Sequence, residues 1–165
     1  MSIYVNPELA KKLHRDYKLA LEVVGFENEE DYVKTHKSRK WKYLIPRQIA
    51  IWLLIETGIY STGLVGKIFL KDHATVVYTR KKINTFLEIR DPQYADFIED
   101  CYERFRLMRK FSAEELGIDE KLQVIKDALN HGFTCKTFFG VNDLYSQARG
   151  FLISKEKENE QGNVG

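Results

Sequence analysis

The sequence predicts an all-α protein: a helical bundle that contains a helix-turn-helix, with additional helices flanking it. Three observations carry that prediction. Apolar residues recur at helical spacing in one segment after another. The segments open on residues suited to helix starts, at Asn6-Pro7, Ser61, Asp72 and Asp91-Pro92. Several of them close on glycine, at Gly25, Gly58 and Gly132. With 165 residues, 44% hydrophobic, ten Phe and nine Tyr, the chain can bury a core that needs neither disulfide nor metal.

The first helix starts at Asn6-Pro7-Glu8, a capping Asn followed by Pro at the first helical position. Leu9, Leu13, Tyr17, Ala20 and Val24 line its inner face. The acidic stretch Glu27 to Asp31 begins a short turn or helix. Lys37 to Lys42 is basic and reads as an extended arm. Proline disfavours helical geometry in the residue before it, so the next helix is expected to start at Pro46. From Ile49 to Ile55 that helix is apolar on nearly all sides and should be central. Ser61 caps a short helix carrying Leu64, Val65, Ile68 and Phe69. Leu70-Lys71 then makes a tight turn, and Asp72 caps a helix whose inner face is Val76, Thr79, Ile83, Phe86 and Leu87. Asp91-Pro92 caps a further helix with Tyr94, Phe97, Ile98, Cys101, Phe105 and Met108 at helical spacing. Ser112-Ala113-Glu114-Glu115 is a capping box ahead of a stripe of Ile118, Leu122, Ile125 and Leu129. A last helix is expected over Asn142 to Ile153, and a disordered tail from Ser154. The expected organisation is therefore an N-terminal part, 1–90, with the helix-turn-helix core at 36–90. A helical extension at 91–153 and a tail at 154–165 follow it.

Charge is small in sum and uneven in place. The formal net charge is +2, yet between His36 and Arg90 eleven basic residues face only three acidic ones. A basic island in an acidic frame points to an anionic partner for the island alone, against the plainer reading of a solvated basic surface. Cys101 and Cys135 are far apart and form no metal-ligand pattern. They read as buried thiols of a reducing compartment rather than as a disulfide. Met1 to Asn6 carries no secretory signal, and the apolar run Ile49 to Ile55 is too short to span a bilayer. The expectation is a cytoplasmic, nucleoid-associated protein with no membrane partner.

The chemistry concentrates on the helix that starts at Asp72. At about 100° per residue, Val76, Thr79, Ile83 and Leu87 face inward while Ala74, Val77, Tyr78 and Lys81 face outward. His73 and Thr75 lie on the flanks. Ala, Val and Tyr on an outer face suit a major groove, where small apolar groups touch thymine methyls. His73 can donate to a purine, Asp72 can accept from a cytosine amino group, and Thr75 can reach a base or a phosphate. Each has a plain structural alternative: a simple N-cap for Asp72, a backbone hydrogen bond for Thr75, a solvated helix end for Arg80, Lys81 and Lys82.

Three stretches then combine: Pro46-Arg47-Gln48-Ile49-Ala50-Ile51-Trp52-Leu53, Ser61 to Gly66, and Lys71-Asp72-His73-Ala74-Thr75-Val76 through Arg80-Lys81-Lys82-Ile83. Together they resemble the C-terminal DNA-binding domain of the bacterial replication initiator DnaA, over about Lys37 to Phe86. The resemblance implies that Arg39 enters the minor groove and that Arg47 and Gln48 hold the phosphate backbone. It also implies that Asp72, His73 and Ala74 read bases, and that the helix opening at Ser61-Thr62 lies along the backbone. Lys40, Lys42, Lys71, Thr75 and Lys82 complete the expected DNA-binding set, and Lys37 adds to the affinity. The chain departs from the family at Ala74, where Thr is usual, and at Thr62-Gly63, where Leu-Pro is common. It departs again in the Leu70-Lys71 turn, which is shorter and lacks the usual glycines.

No phosphate-binding loop ending in Lys-Ser or Lys-Thr occurs, so no nucleotide cofactor and no ATPase activity are expected. Asp72-His73 makes no acid–base pair, because neighbouring residues on a helix diverge. No carboxylate cluster for a metal accompanies them, so neither a catalytic nor a metal site is expected. Trp41 and Tyr43, set among Lys40 and Lys42, suit either stacking on single-stranded bases or anchoring of the arm on the core, and anchoring is the expectation. A second helix-turn-helix between Gly132 and Gly150 has weaker support than core packing or a protein contact. Double-stranded DNA is the expected partner, in control of replication or transcription. The alternative is a non-catalytic protein-interaction module that reuses the fold and presents residues 91–153 to a protein.

Overall fold

The computed structural model describes residues 6–112 and 117–132, and among these the chain forms seven helices and no strand. They are α1 (Pro7–Val24), α2 (Glu29–Thr35), α3 (Trp41–Glu56), α4 (Thr62–Ile68), α5 (His73–Glu88), α6 (Ala95–Phe111) and α7 (Ile118–Asn130). The all-α expectation holds. The chain divides into two compact units, one ending at Phe105 and the other beginning at Arg106. The expected capping box at 112–115 falls largely outside the described residues. The helix at 142–153, the candidate second helix-turn-helix, Cys135 and the tail lie wholly outside them.

In the first unit α3 is the axis. Every residue from Ile49 to Ile55 is buried, as a helix apolar on all sides requires. Both α1 and α5 pack on α3, and α4 packs on α5. Each large aliphatic side chain buried in this way contributes about 1.5–3 kcal/mol. Asn6 caps α1 by accepting from the Glu8 N–H at 2.9 Å. Gly25 ends it at φ +110°, in the left-handed region that glycine enters without strain. Leu13, Tyr17, Ala20 and Val24 are buried as the periodicity predicts.

The start of α3 differs from the expectation. The helix begins at Trp41, five residues before Pro46, which leaves only 36–40 as a non-helical arm. Proline at 46 removes one N–H from the ladder and orphans the Lys42 carbonyl. Lys42 is exposed, so water can satisfy that carbonyl and the helix continues. The start after Asp91 also comes later than expected. The Asp91 side chain accepts from the N–H groups of Gln93 (2.9 Å) and Tyr94 (3.0 Å), which makes a turn ahead of Ala95. Cys101 is a free, fully buried thiol, and burial pushes its pKa up to about 12.

Two polar features of the core have no counterpart in the apolar pattern. Asp16 is 0% exposed. It accepts from the Tyr60 hydroxyl at 2.6 Å and lies 3.5 Å from the Arg15 guanidinium. Trp52 donates its indole N–H to Asn84 Oδ1 at 2.9 Å, pinning α5 to α3.

The link between α4 and α5 is unusually constrained. Leu70 N–H donates to the Lys67 carbonyl at 3.2 Å, and Lys71 N–H donates to the Gly66 carbonyl at 2.8 Å. This is a Schellman ending, whose left-handed position normally takes glycine. Here Leu70 occupies it, at φ +58°. The turn closes so tightly that a Cβ on Gly66 would stand 2.7 Å from the Lys71 carbonyl oxygen. The short turn without glycine noted in the sequence is therefore made by a strained Leu70, while Gly66 supplies the room for it.

In the second unit, Val124, Ile125 and Ala128 of α7 are buried, whereas Ile118 and Leu129 are 57% and 51% exposed. The buried stripe is thus shifted from the expected one. Ile118 and Leu129 sit in the terminal turns of α7, whose central turns carry the buried set.

Candidate nucleic-acid interface

The N-terminus of α5 is built by Asp72. Its backbone is extended and its Oδ1 accepts the Thr75 N–H at 2.7 Å, so one carboxylate oxygen of Asp72 makes the cap. Hydrogen bonding from Thr75 holds the Asp72 carboxyl below the usual carboxylate range. A depressed folded pKa contributes stability that is present above the unfolded pKa and lost as pH falls through the folded one. Asp72→Asn keeps a capping oxygen but cannot titrate. The stability difference between wild type and Asp72→Asn, followed by urea unfolding against pH, is expected to vanish on acidification below the carboxylate range. A constant difference would contradict the assignment.

Beyond the cap, α5 divides as helical spacing requires. Val76, Thr79 and Ile83 are 0% exposed. His73, Ala74, Thr75, Tyr78 and Lys81 are exposed, and Val77 is half-buried. Phe86 and Leu87, expected on the inner face, are only half-buried, and Phe86 meets Tyr94 and Lys82. The first turn presents backbone N–H groups outward beside His73 and Ala74, a setting that favours phosphate.

The arm, residues 36–40, is held by two cations. Arg47 Nη1 donates to the Ser38 carbonyl at 3.1 Å and lies 3.5 Å from the Thr35 carbonyl. Lys71 Nζ donates to the His36 carbonyl at 2.5 Å. Both cations belong to the expected DNA-binding set, and both are engaged within the chain. Arg47 and Gln48 are each 7% exposed, and Gln48 Oε1 is buried without a hydrogen bond among the described residues. Burial lowers the pKa of Arg47, and burial followed by the nearby Arg47 and Lys37 lowers that of Lys71. Arg47 and Lys71 thus act as struts for the arm. The residues they position, Lys37, Arg39 and Lys40, are exposed. His36 lies within the same cluster. Its pKa is lowered by burial first and then by Lys71, Lys37 and Arg47.

The remaining expected residues have local partners of their own. Ser61 caps α4 by accepting from the Leu64 N–H at 3.2 Å, and Thr62 is half-buried. Lys42 folds over the Tyr43 ring at 4.8 Å. Lys82 is half-buried against Trp41 and Phe86, and burial lowers its pKa. Trp41 does not anchor the arm in the core. It is 60% exposed and stacks on Tyr94.

One residue that braces this region escaped sequence reading. Tyr32 of α2 is fully buried and donates its hydroxyl to the Phe69 carbonyl, at the start of the turn between α4 and α5. It packs edge-on against Tyr17 and Phe69, at 6.1 and 5.5 Å. The same short helix ends at Thr35, where the Arg47 strut reaches. α2 therefore ties the arm to the helix-turn-helix. The available signal was a lone aromatic in the acidic run Glu29 to Asp31 and its continuation.

Among the described residues no group of three or more His, Cys, Asp or Glu is placed to hold a metal, and no helix is long and apolar enough to cross a membrane.

A capped short helix, a tight turn and a second helix with an exposed polar N-terminus define a helix-turn-helix of the DNA-binding class. Residues 28–83 match the family model described as the bacterial dnaA protein helix-turn-helix. This segment is accordingly similar to the DnaA helix-turn-helix, a likeness that implies DNA binding. The chain is also 40% identical over 63 residues to the chromosomal replication initiator protein DnaA of Buchnera aphidicola subsp. Cinara cedri (strain Cc). The match covers 38% of this chain and 14% of that protein, so the chain spans a small part of the relative's length. No solved structure matches the chain significantly.

Proposed function

We propose that the chain binds double-stranded DNA sequence-specifically, with α5 in the major groove and the 36–40 arm in the adjacent minor groove. The observation that carries this is the exposed His73-Ala74-Thr75 run at the N-terminus of α5, held in register by the Asp72 cap and the Tyr32–Phe69 bond. His73 and Ala74 read base edges, and Thr75 reaches a base or phosphate. Arg39 enters the minor groove, while Lys37, Lys40, Lys42, Lys81 and Lys82 neutralise phosphates. Arg47 and Lys71 serve the interface by holding the arm in place. Asp72 serves it as the cap of the reading helix. Control of DNA replication is the role that the relative's name suggests, and control of transcription is the other role this chemistry suits.

Fluorescence anisotropy with labelled duplexes tests this reading. Binding should weaken steeply with salt, as counterion release dictates. His73→Ala should abolish sequence preference, at about 1–3 kcal/mol per lost base contact. Lys40→Ala should weaken all sequences alike and lower the salt slope by about 1. If no duplex binds at low salt, the DNA reading is lost and the protein-interaction alternative takes its place. If the two variants behave alike, the reading face is misassigned.

A further inference from the structure

We propose that Trp41 is a stacking wedge for a base that leaves the duplex stack beside the arm, so that the chain favours DNA weakened or opened at that point. This deepens the DNA-binding reading and rests on it.

Trp41 is the first residue of α3, two positions after Arg39, and its indole is 60% exposed. One side of it nevertheless has neighbours. Its ring lies nearly parallel to that of Tyr94, with 10° between the planes and 6.2 Å between centroids. Tyr94 in turn rests on Phe86 at 5.3 Å. The Lys82 ammonium lies 5.5 Å from the Trp41 ring and 5.8 Å from Phe86. The result is a short aromatic stack whose outermost member is supported from below and open to solvent. The second tryptophan makes the contrast plain: Trp52 is 5% exposed, with its N–H bonded to Asn84.

The surroundings of Trp41 select its ligand. Arg39 and Lys40 precede it, Lys42 follows it and Lys82 lies against it, so charge favours a polyanion. An exposed aromatic ring set among cations suits a base attached to phosphates. Every base offers a π-face, so this contact tolerates any sequence. Apolar side chains placed at the minor groove commonly enter a base step, unstack it and kink the duplex. A wedge next to a minor-groove arm is placed for that action. Its contribution should be largest where the pair is already weak, because less unstacking work remains.

The test compares a short, fully paired duplex with the same duplex carrying a central run of mismatches, at low salt. Wild type should bind the mismatched duplex about ten-fold tighter, with quenching of the exposed Trp41 emission. Trp41→Ala should lose both the preference and the quenching while binding the paired duplex nearly as well as wild type. Its unfolding midpoint should stay unchanged, since the ring is largely exposed. Trp41→Phe should recover part of the preference. Equal affinity of wild type for both duplexes, or a preference that persists in Trp41→Ala, would overturn the wedge and leave the DNA reading intact. No binding to either duplex would overturn the DNA reading and the wedge with it.

Discussion

Gly66→Ala is expected to destabilise the chain by about 1–3 kcal/mol and to abolish sequence preference on DNA. The added Cβ would stand 2.7 Å from the Lys71 carbonyl oxygen, 3.4 Å from Val76 Cγ2 and 3.7 Å from the Asp72 carbonyl carbon. The nearest of these is backbone, so no side-chain rotation relieves it. The turn must open, and opening it moves the Asp72 cap and the exposed His73-Ala74-Thr75 run together. Urea unfolding gives the stability cost, and anisotropy on a preferred and an arbitrary duplex gives the loss of discrimination. Wild-type stability together with retained discrimination would show that the turn is looser than its hydrogen bonds indicate.

Replacing Arg47 by Leu is the second large effect expected. The leucine fills much of the volume but leaves the Ser38 and Thr35 carbonyls without their cation. The loss of a charge-assisted hydrogen bond costs about 1.5–3 kcal/mol. Amide exchange in 36–40 should accelerate, and duplex affinity should fall for all sequences, because Arg39 and Lys40 lose their fixed placement. Arg47→Lys keeps the charge without the planar fork and should restore little of this. A surface phosphate ligand would behave differently. Its removal would weaken binding while stability and arm protection stayed unchanged, and that pattern would refute the strut.

Much of the fold was legible because its signals are local. Asn6, Ser61 and Asp72 cap helices through their own side chains, and Ile49 to Ile55 is buried all round as its composition requires. The outward face of α5 followed from the helical period alone. The errors arose where a distant partner overrides a local preference. Pro46 reads as a helix start, but the packing of α3 carries the helix back to Trp41 and solvent absorbs the orphaned Lys42 carbonyl. Arg47 and Lys71 read as open cations because sequence gives charge and not direction. Only the folded chain shows the Thr35, His36 and Ser38 carbonyls converging on them. Tyr32 and Asp16 were invisible for the same reason: their partners, Phe69 and Tyr60, lie 37 and 44 residues away in sequence.

The strained Leu70 has a different origin. A left-handed residue other than glycine costs about 1–2 kcal/mol, and the sequence shows only that glycine is absent there. The fold accepts the cost because Gly66, Lys67 and Lys71 close a turn short enough to seat α5 against α4.

The proposed reading of DNA sequence by the N-terminus of α5 is tested by selection from a pool of random duplexes, with wild type and His73→Ala run in parallel. Wild type should enrich one short motif, and His73→Ala should enrich either no motif or one altered at a confined position. Failure of wild type to enrich any motif, or enrichment of the same motif by both proteins, would contradict the claim.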